Sequence, residues 1–202
     1  MPTPLELLIV ATRNQKKTVE IRNMLEGIYE VVDVPELEER GVELPEIEET
    51  GTTFSENAAL KAIGISKVVS GLVLADDSGL EVDGLGGEPG VWSSSYGGEE
   101  GNHHKNNARL ERELVTVPEG ERTGRFQCVM VLAAEGKALS EFAGSVEGRL
   151  VEKPRGGEGF GYDPYFVPEG YEETFAELGL EVKSGMSHRG RALRQVVAFL
   201  KD

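Results

Sequence analysis

The run Leu74-Ala75-Asp76-Asp77-Ser78-Gly79 places two adjacent carboxylates where an apolar strand runs out. Residues 72–76 read as a buried strand, with Ser78-Gly79 as a sharp turn and residues 80–82 as a separate short strand. An earlier apolar run, residues 5–11, also suits a buried strand and is broken by Thr12-Arg13-Asn14. Acids at the mouth of a core strand serve a hard divalent cation, a proton transfer, or simply a solvated turn.

Between and after these runs the periodicity changes. Val19, Ile21, Met24 and Leu25 fit one helix face over residues 17–25, and residues 29–34 read as a strand. Residues 36–51 are acidic and irregular, a solvated loop by composition. Thr53 and Glu56 form a capping box for a helix over 53–69. A glycine-rich loop, 84–101, carries the only tryptophan, Trp92, and precedes a helix over 105–115. Residues 125–134 and 138–148 form a hairpin around Glu135-Gly136; a short strand at 165–167 and a terminal helix at 187–200, capped by Ser187, follow. Helices and strands alternate early and strands gather later, which predicts a mixed α/β sheet with flanking helices, in one domain spanning residues 1–202.

The charge of −15 over 202 residues excludes a general nucleic-acid binder, so phosphates must be handled locally by a few placed lysines and a metal ion. The single cysteine, Cys128, lies in an apolar run and permits no intramolecular disulfide, which fits a reducing compartment. The N-terminal residues lack a charged stretch followed by an apolar core, and no apolar stretch approaches a bilayer span. The expectation is a cytoplasmic protein with no membrane partner.

Four segments can carry chemistry. Residues 11–17, Ala-Thr-Arg-Asn-Gln-Lys-Lys, form a strand-to-helix turn whose free N–H groups and helix dipole suit a phosphate. Lys16 or Lys17 adds a point charge, Thr12 and Asn14 add donors, and the glycines of a Walker A loop are absent. Next, one glutamate of Glu48-Glu49 with Asp77 would make the partial carboxylate shell that Mg²⁺ takes, and Lys61 could face the same acids. The third, Gly156-Gly157-Glu158-Gly159-Phe160-Gly161, lacks the strand and helix of a dinucleotide fingerprint, but Phe160 between glycines can stack on a planar ring or anchor the loop. Last, His188 and Arg189 occupy the first turn of the final helix, where cations oppose the dipole, which suggests that they bind an anion or a carbonyl. His103-His104 lie in a polar loop and are poor candidates for metal ligands.

Taken in series, residues 11–17, Glu-Glu-Thr-Gly-Thr-Thr-Phe-Ser-Glu-Asn-Ala at 48–58, Ala-Asp-Asp-Ser-Gly-Leu at 75–80, Gly-Phe-Gly-Tyr-Asp-Pro at 159–164 and Ser-His-Arg at 187–189 carry a resemblance over residues 7–200. The sequence resembles the Ham1-like pyrophosphatases that remove inosine and xanthosine triphosphates. The resemblance implies a mixed twisted sheet in two lobes around a central cleft, a homodimer, and Mg²⁺-dependent hydrolysis of ITP, dITP and XTP to the monophosphate and pyrophosphate. It places Thr12, Arg13, Asn14, Gln15, Lys16, Lys17 and Lys61 on the phosphates, Glu48 and Asp77 on Mg²⁺, and Ser78 beside them. Asp77 is also the implied catalytic base, with Asp76 as the alternative. Phe160, Gly161, Tyr162, Asp163, Lys183, His188 and Arg189 would enclose and read the base. Ser94-Ser95 stand where the family usually has Ala-Arg, and Lys16 stands where Gly or His is usual.

Arginine has donors only and protonated histidine matches it, which suits the O6 carbonyl of hypoxanthine or xanthine and not the amino group of adenine. No residue in this inventory reads a 2′-hydroxyl, so ribo and deoxy forms are both expected as substrates. Two alternatives remain at this stage: a Maf-type pyrophosphatase acting on modified pyrimidine nucleotides, and a non-catalytic nucleotide-binding regulator.

Overall fold

The computed structural model describes residues 5–201, with the side chains of Leu180, Glu181 and Ser184 left undescribed. In chain order the strands are β1 (Glu6–Val10), β2 (Tyr29–Asp33), β3 (Leu72–Val82), β4 (Thr123–Ala134), β5 (Lys137–Leu150) and β6 (Phe166–Pro168). The helices are α1 (Gln15–Met24), α2 (Val34–Glu39), α3 (Phe54–Ser66), α4 (His103–Leu114), α5 (Phe175–Met186) and α6 (His188–Lys201). Among the described residues the strands pair in the order β2-β1-β3-β4-β5-β6. β1 runs parallel to both β2 and β3, whereas β5 and β6 are antiparallel. The mixed α/β class expected from the sequence is the observed one.

The chain divides into two compact units, each with its own apolar core. Residues 1–77, 129–143 and 192–202 make the first, built on Ile9, Val32, Ala58, Ala62, Ile65, Val73 and Val131. The second comprises residues 78–128 and 144–191, built on Leu80, Leu110, Leu114, Phe126, Phe166 and Phe175.

Three local expectations need correction. Ser78-Gly79 does not turn: β3 is a single strand of 11 residues, flanked by β1 and β4 and buried along most of its length. β1 accompanies only Leu72–Leu74, so beyond them the sheet neighbour that outweighs the turn preference of Asp, Ser and Gly is β4. The acidic segment is not irregular throughout, because α2 opens it with a complete capping box between Asp33 and Glu36 and Pro35 in its first turn. A helix absent from the sequence reading, α5, starts at a second capping box, Thr174 and Glu177, and is kinked at Gly179. The hairpin turn is as expected: Glu135 and Gly136 have φ of 50° and 75°, the left-handed pair of a two-residue type I′ connection.

Candidate active site

In the first unit, β1 ends at Val10 and the Ala11 N–H still donates to the Leu74 carbonyl at 2.8 Å, so the 11–17 turn leaves the sheet beside β3. Asn14 caps α1: its Oδ1 accepts from the N–H groups of Lys16 and Lys17 at 3.0 and 3.3 Å, while Thr12 Oγ1 accepts from Asn14 N–H at 3.1 Å. The cap fixes where Lys17 starts its reach. Lys17 Nζ lies 2.8 Å from Asp76 Oδ2, whose side chain is wholly buried. Arg13 turns away to a bidentate pair with Glu38 at 2.6–2.7 Å, and Gln15 donates to Asp33 at 3.1 Å. Lys16 is exposed on the first turn of α1.

Two turns into α3 from its buried start, Lys61 stands between two acids. Its Nζ is 2.7 Å from Glu49 Oε2 and 3.9 Å from Asp77 Oδ1, and its side chain is only 15% exposed. Burial alone would lower the Lys61 pKa, but the charges of Asp77, Glu49 and Asp76 prevail and leave it above its ordinary value. Asp77 is shifted by the same forces. Burial pushes its carboxyl up from 3.8 to about 6, opposed by Lys61 and Lys17 and reinforced by the negative charge of Glu49. The glutamate paired with Lys61 is Glu49; Glu48, its neighbour in sequence, is exposed, as is Glu49, while Ile47 packs against the first core.

The donor set suits Mg²⁺. Among the described residues no group of three or more His, Cys, Asp or Glu could cage a metal. Mg²⁺ does not need such a cage, since it takes one or two carboxylates and leaves its other positions to water and phosphate oxygen. Asp77 and Glu49 are hard oxygen donors sharing one lysine, and burial of Asp77 penalises its charge unless a cation accompanies it.

In the second unit, a loop, α5 and the start of α6 meet. Asp163 Oδ2 accepts from Phe160 N–H at 2.8 Å and pairs with Lys183 Nζ at 2.5 Å, both side chains nearly inaccessible. Lys183 also lies 4.7 Å from the centroid of Phe160 and 5.6 Å from that of Phe175. Gly159 needs φ of 80°, and a Cβ there would collide with the Asp163 carboxylate. Asp163 thus shapes the loop that presents Phe160. Tyr162 is buried, and its hydroxyl donates to the Ser93 carbonyl at 2.8 Å; the Gly161 carbonyl accepts from Asn107 Nδ2 at 3.1 Å. His188 is buried with its ring stacked on Phe126, centroids 5.0 Å apart at 12°. Arg189, 3% exposed, donates from Nη2 to Ser78 Oγ at 3.0 Å. Ser187 Oγ accepts from Gly190 N–H at 3.0 Å, the expected cap of α6.

The sequence matches the Ham1 family over residues 8–199. The chain belongs to the Ham1 family. It is similar to the dITP/XTP pyrophosphatase of Bacillus licheniformis, 46% identical over 200 residues that cover 96% of this chain and 97% of that one. The dITP/XTP pyrophosphatase of Bacillus subtilis is 42% identical over 200 residues, 96% of each. Among solved structures, a HAM1 protein from Coxiella burnetii superposes with a TM-score of 0.87 at 35% identity, covering 98% of this chain and 99% of that one. The Staphylococcus aureus Ham1 protein gives 0.85 at 35%, over 97% and 98%. A Ham1 match of this extent gives the Maf-type and regulator alternatives no support.

Within this Ham1 chain, Lys17, Lys61 and Asp77 come together in the first unit, and Ser78, Phe160, Asp163, Lys183, His188 and Arg189 each have a defined place in the second. Arg13 and Gln15 are instead engaged with Glu38 and Asp33. Sequence reasoning named the Glu48-Glu49 pair without singling out Glu49 as the acid on Lys61, and it missed Phe126 as the ring under His188 and Asn57, whose side chain hydrogen-bonds Asp77. Only Asn57 left a sequence signal, since it lies four residues before Lys61 and therefore shares its helix face.

Proposed function

We propose that this chain hydrolyses the non-canonical purine nucleoside triphosphates dITP, ITP and XTP to the monophosphate and pyrophosphate in a Mg²⁺-dependent reaction. The observation that carries the reading is the buried Asp77 carboxylate held against Lys61, with Lys17 on the neighbouring Asp76. A hydrolase needs a carboxylate that takes a proton from water next to cations that accept phosphate charge.

Lys17 and Lys61 would neutralise phosphate oxygens, and the N–H groups of the capped α1 turn would add donors. Asp77 orients water toward the α-phosphorus and accepts its proton as the bond to the pyrophosphate oxygen breaks, a role typically worth ~10²–10⁴ in rate. Asp76 is the weaker candidate for that task, because its Oδ2 is committed to Lys17 at 2.8 Å whereas Asp77 stands 3.9 Å from Lys61. Glu49 and Asp77 would hold Mg²⁺, which supplies charge neutralisation of the phosphates. For the base, Arg189 and His188 offer donors to O6, Phe160 offers a stacking face, and Ser78 fixes the Arg189 guanidinium. A site built on such hydrogen bonds discriminates between carbonyl and amino analogues.

The decisive experiment is pyrophosphate release from dITP, XTP, ITP, GTP and ATP, each with and without Mg²⁺. Rapid release from the first three in Mg²⁺ is expected; equal rates on ATP, or release unaffected by Asp77→Asn, would refute the assignment. A homodimer and a cytoplasmic location complete the reading. Trp92, 62% exposed on the loop before α4, would give a subunit contact an apolar anchor, and among the described residues no helix is long and apolar enough to cross a membrane. Sedimentation of the protein and of Trp92→Ser tests the dimer.

A further inference from the structure

Helix α3 addresses Asp77 twice. Lys61 reaches Asp77 and Glu49, while Asn57, one turn earlier on the same face, reaches Asp77 and Gly51. Asn57 is 3% exposed, and its Oδ1 accepts from Gly51 N–H at 2.8 Å. That bond fixes the orientation of the amide, because Oδ1 is the acceptor and only Nδ2 is left to donate to a carboxylate. Gly51 is shaped for the contact: a Cβ there would come within 2.6 Å of both Asn57 Oδ1 and Glu56 Cβ. Residues 49 and 51 of one segment are therefore tied to residues 61 and 57 of one helix, and both ties continue to the same aspartate.

We infer that Asn57 is a positioning residue which, through α3, holds the Asp77 carboxylate and the Glu49 segment in a common register. The inference rests on the reading that Asp77 and Glu49 serve Mg²⁺ and the attacking water. Losing a group that orients a metal ligand typically costs about 10–100-fold in metal affinity or activity.

The test uses three variants of the full chain. Asn57→Ala removes both bonds. Gly51→Ala leaves Asn57 intact and pushes it away. Asn57→Asp retains an acceptor for Gly51 N–H and loses the donor to Asp77. Each is followed by calorimetric titration of the metal-free protein with Mg²⁺ alone, by kcat and KM on dITP, and by thermal unfolding, with assays run well below the melting point. Asn57→Ala and Gly51→Ala are expected to bind Mg²⁺ at least tenfold more weakly and to lose at least tenfold in kcat, with KM changed by less than threefold. Asn57→Asp is expected to melt closer to wild type than Asn57→Ala does, yet to stay at least tenfold down in kcat. Wild-type kcat and Mg²⁺ affinity in folded Asn57→Ala or Gly51→Ala, or wild-type turnover in Asn57→Asp, would overturn the inference. Failure of the wild-type protein to hydrolyse dITP would instead refute the functional reading, and the Mg²⁺ titrations would still decide whether Asn57 positions the acids.

Discussion

Replacing Asp77 with Asn should stabilise the metal-free protein, by an amount that depends on pH. Burial raises the Asp77 pKa from 3.8 in an exposed chain to about 6 in the fold. An acid raised in this way keeps its proton in the folded state while the unfolded state has lost it. Stability is thus greatest below the unfolded value, falls as pH rises from about 4 to about 6, and stays low above. A shift of roughly two units corresponds to a penalty of about 3 kcal/mol at pH 8. About half of it is already present at pH 5, where the unfolded chain is ionised and the folded one is mostly neutral. The substituted amide would be nearly isosteric and neutral, and its oxygen could still accept from Asn57. Removal of a penalty of that size from a chain of this length should raise the melting temperature by about 6–10 °C at pH 8 and by roughly half as much at pH 5. Scanning calorimetry of both proteins in chelator, from pH 5 to 8, measures the difference directly. A variant that melts at or below wild type at pH 8, or a difference that shrinks as pH rises, would refute the electrostatic account of Asp77. Saturating Mg²⁺ should then stabilise wild type more than the variant, because the cation relieves a charge that the variant lacks.

Lys61→Ala leaves Glu49 and Asp77 facing one another without their shared ammonium, so kcat/KM on dITP should fall by about 10–100-fold, the worth of a charge-assisted contact. Steady-state kinetics would also show the apparent pKa of Asp77 rising further. Glu49→Ala should raise the Mg²⁺ concentration for half-maximal rate by about tenfold or more, since one of two carboxylate donors is gone. Glu48→Ala should leave that concentration nearly unchanged, and the reverse result would restore the sequence-based assignment. Lys183→Met strands the buried Asp163 carboxylate and should destabilise the protein by about 3–5 kcal/mol in urea unfolding. The double change Asp163→Asn with Lys183→Met should recover most of that loss, because a buried pair removed whole leaves no uncompensated charge.

What could be read from the sequence follows from how local each signal is. The capping box of α3 and the hairpin turn at Glu135-Gly136 depend on residues within four positions of one another, and both were legible. The capping boxes of α2 and α5 were equally local, but the acidic composition around Glu36 and the glycines around α5 obscured them. The continuity of β3 was not legible, because it depends on its neighbours in the sheet: Asp76-Asp77-Ser78-Gly79 has the composition of a turn, lies beyond the β1 ladder at Leu72–Leu74, and is extended beside β4. The order of motifs singled out Lys17, Lys61 and Asp77, which come together in the first unit, and His188 and Arg189, which are buried in the second. Glu48 and Glu49 could not be separated, since the pairing of Glu49 with Lys61 is a contact between an irregular segment and α3 that no local pattern encodes. Phe126, on β4, could be linked to His188 only once the second core was assembled.

The charges in the first unit also bear on the metal proposed above. Lys17 and Lys61 are each paired with acid before any substrate arrives, and Asp76, Asp77 and Glu49 set three carboxylates against those two ammonium groups. A triphosphate brings several further negative charges to a chain whose formal charge is already −15. Coulomb repulsion among partly buried groups is weakly screened by salt, so lysines already neutralised at home would not suffice to draw it in. With Mg²⁺ held by Glu49 and Asp77 as proposed, its charge would offset that repulsion, Lys17 and Lys61 would be available to the phosphate oxygens, and ionised Asp77 would be favoured as the proton acceptor. On the proposed reading, the acids that repel a bare triphosphate are the ones that would admit it as its Mg²⁺ complex.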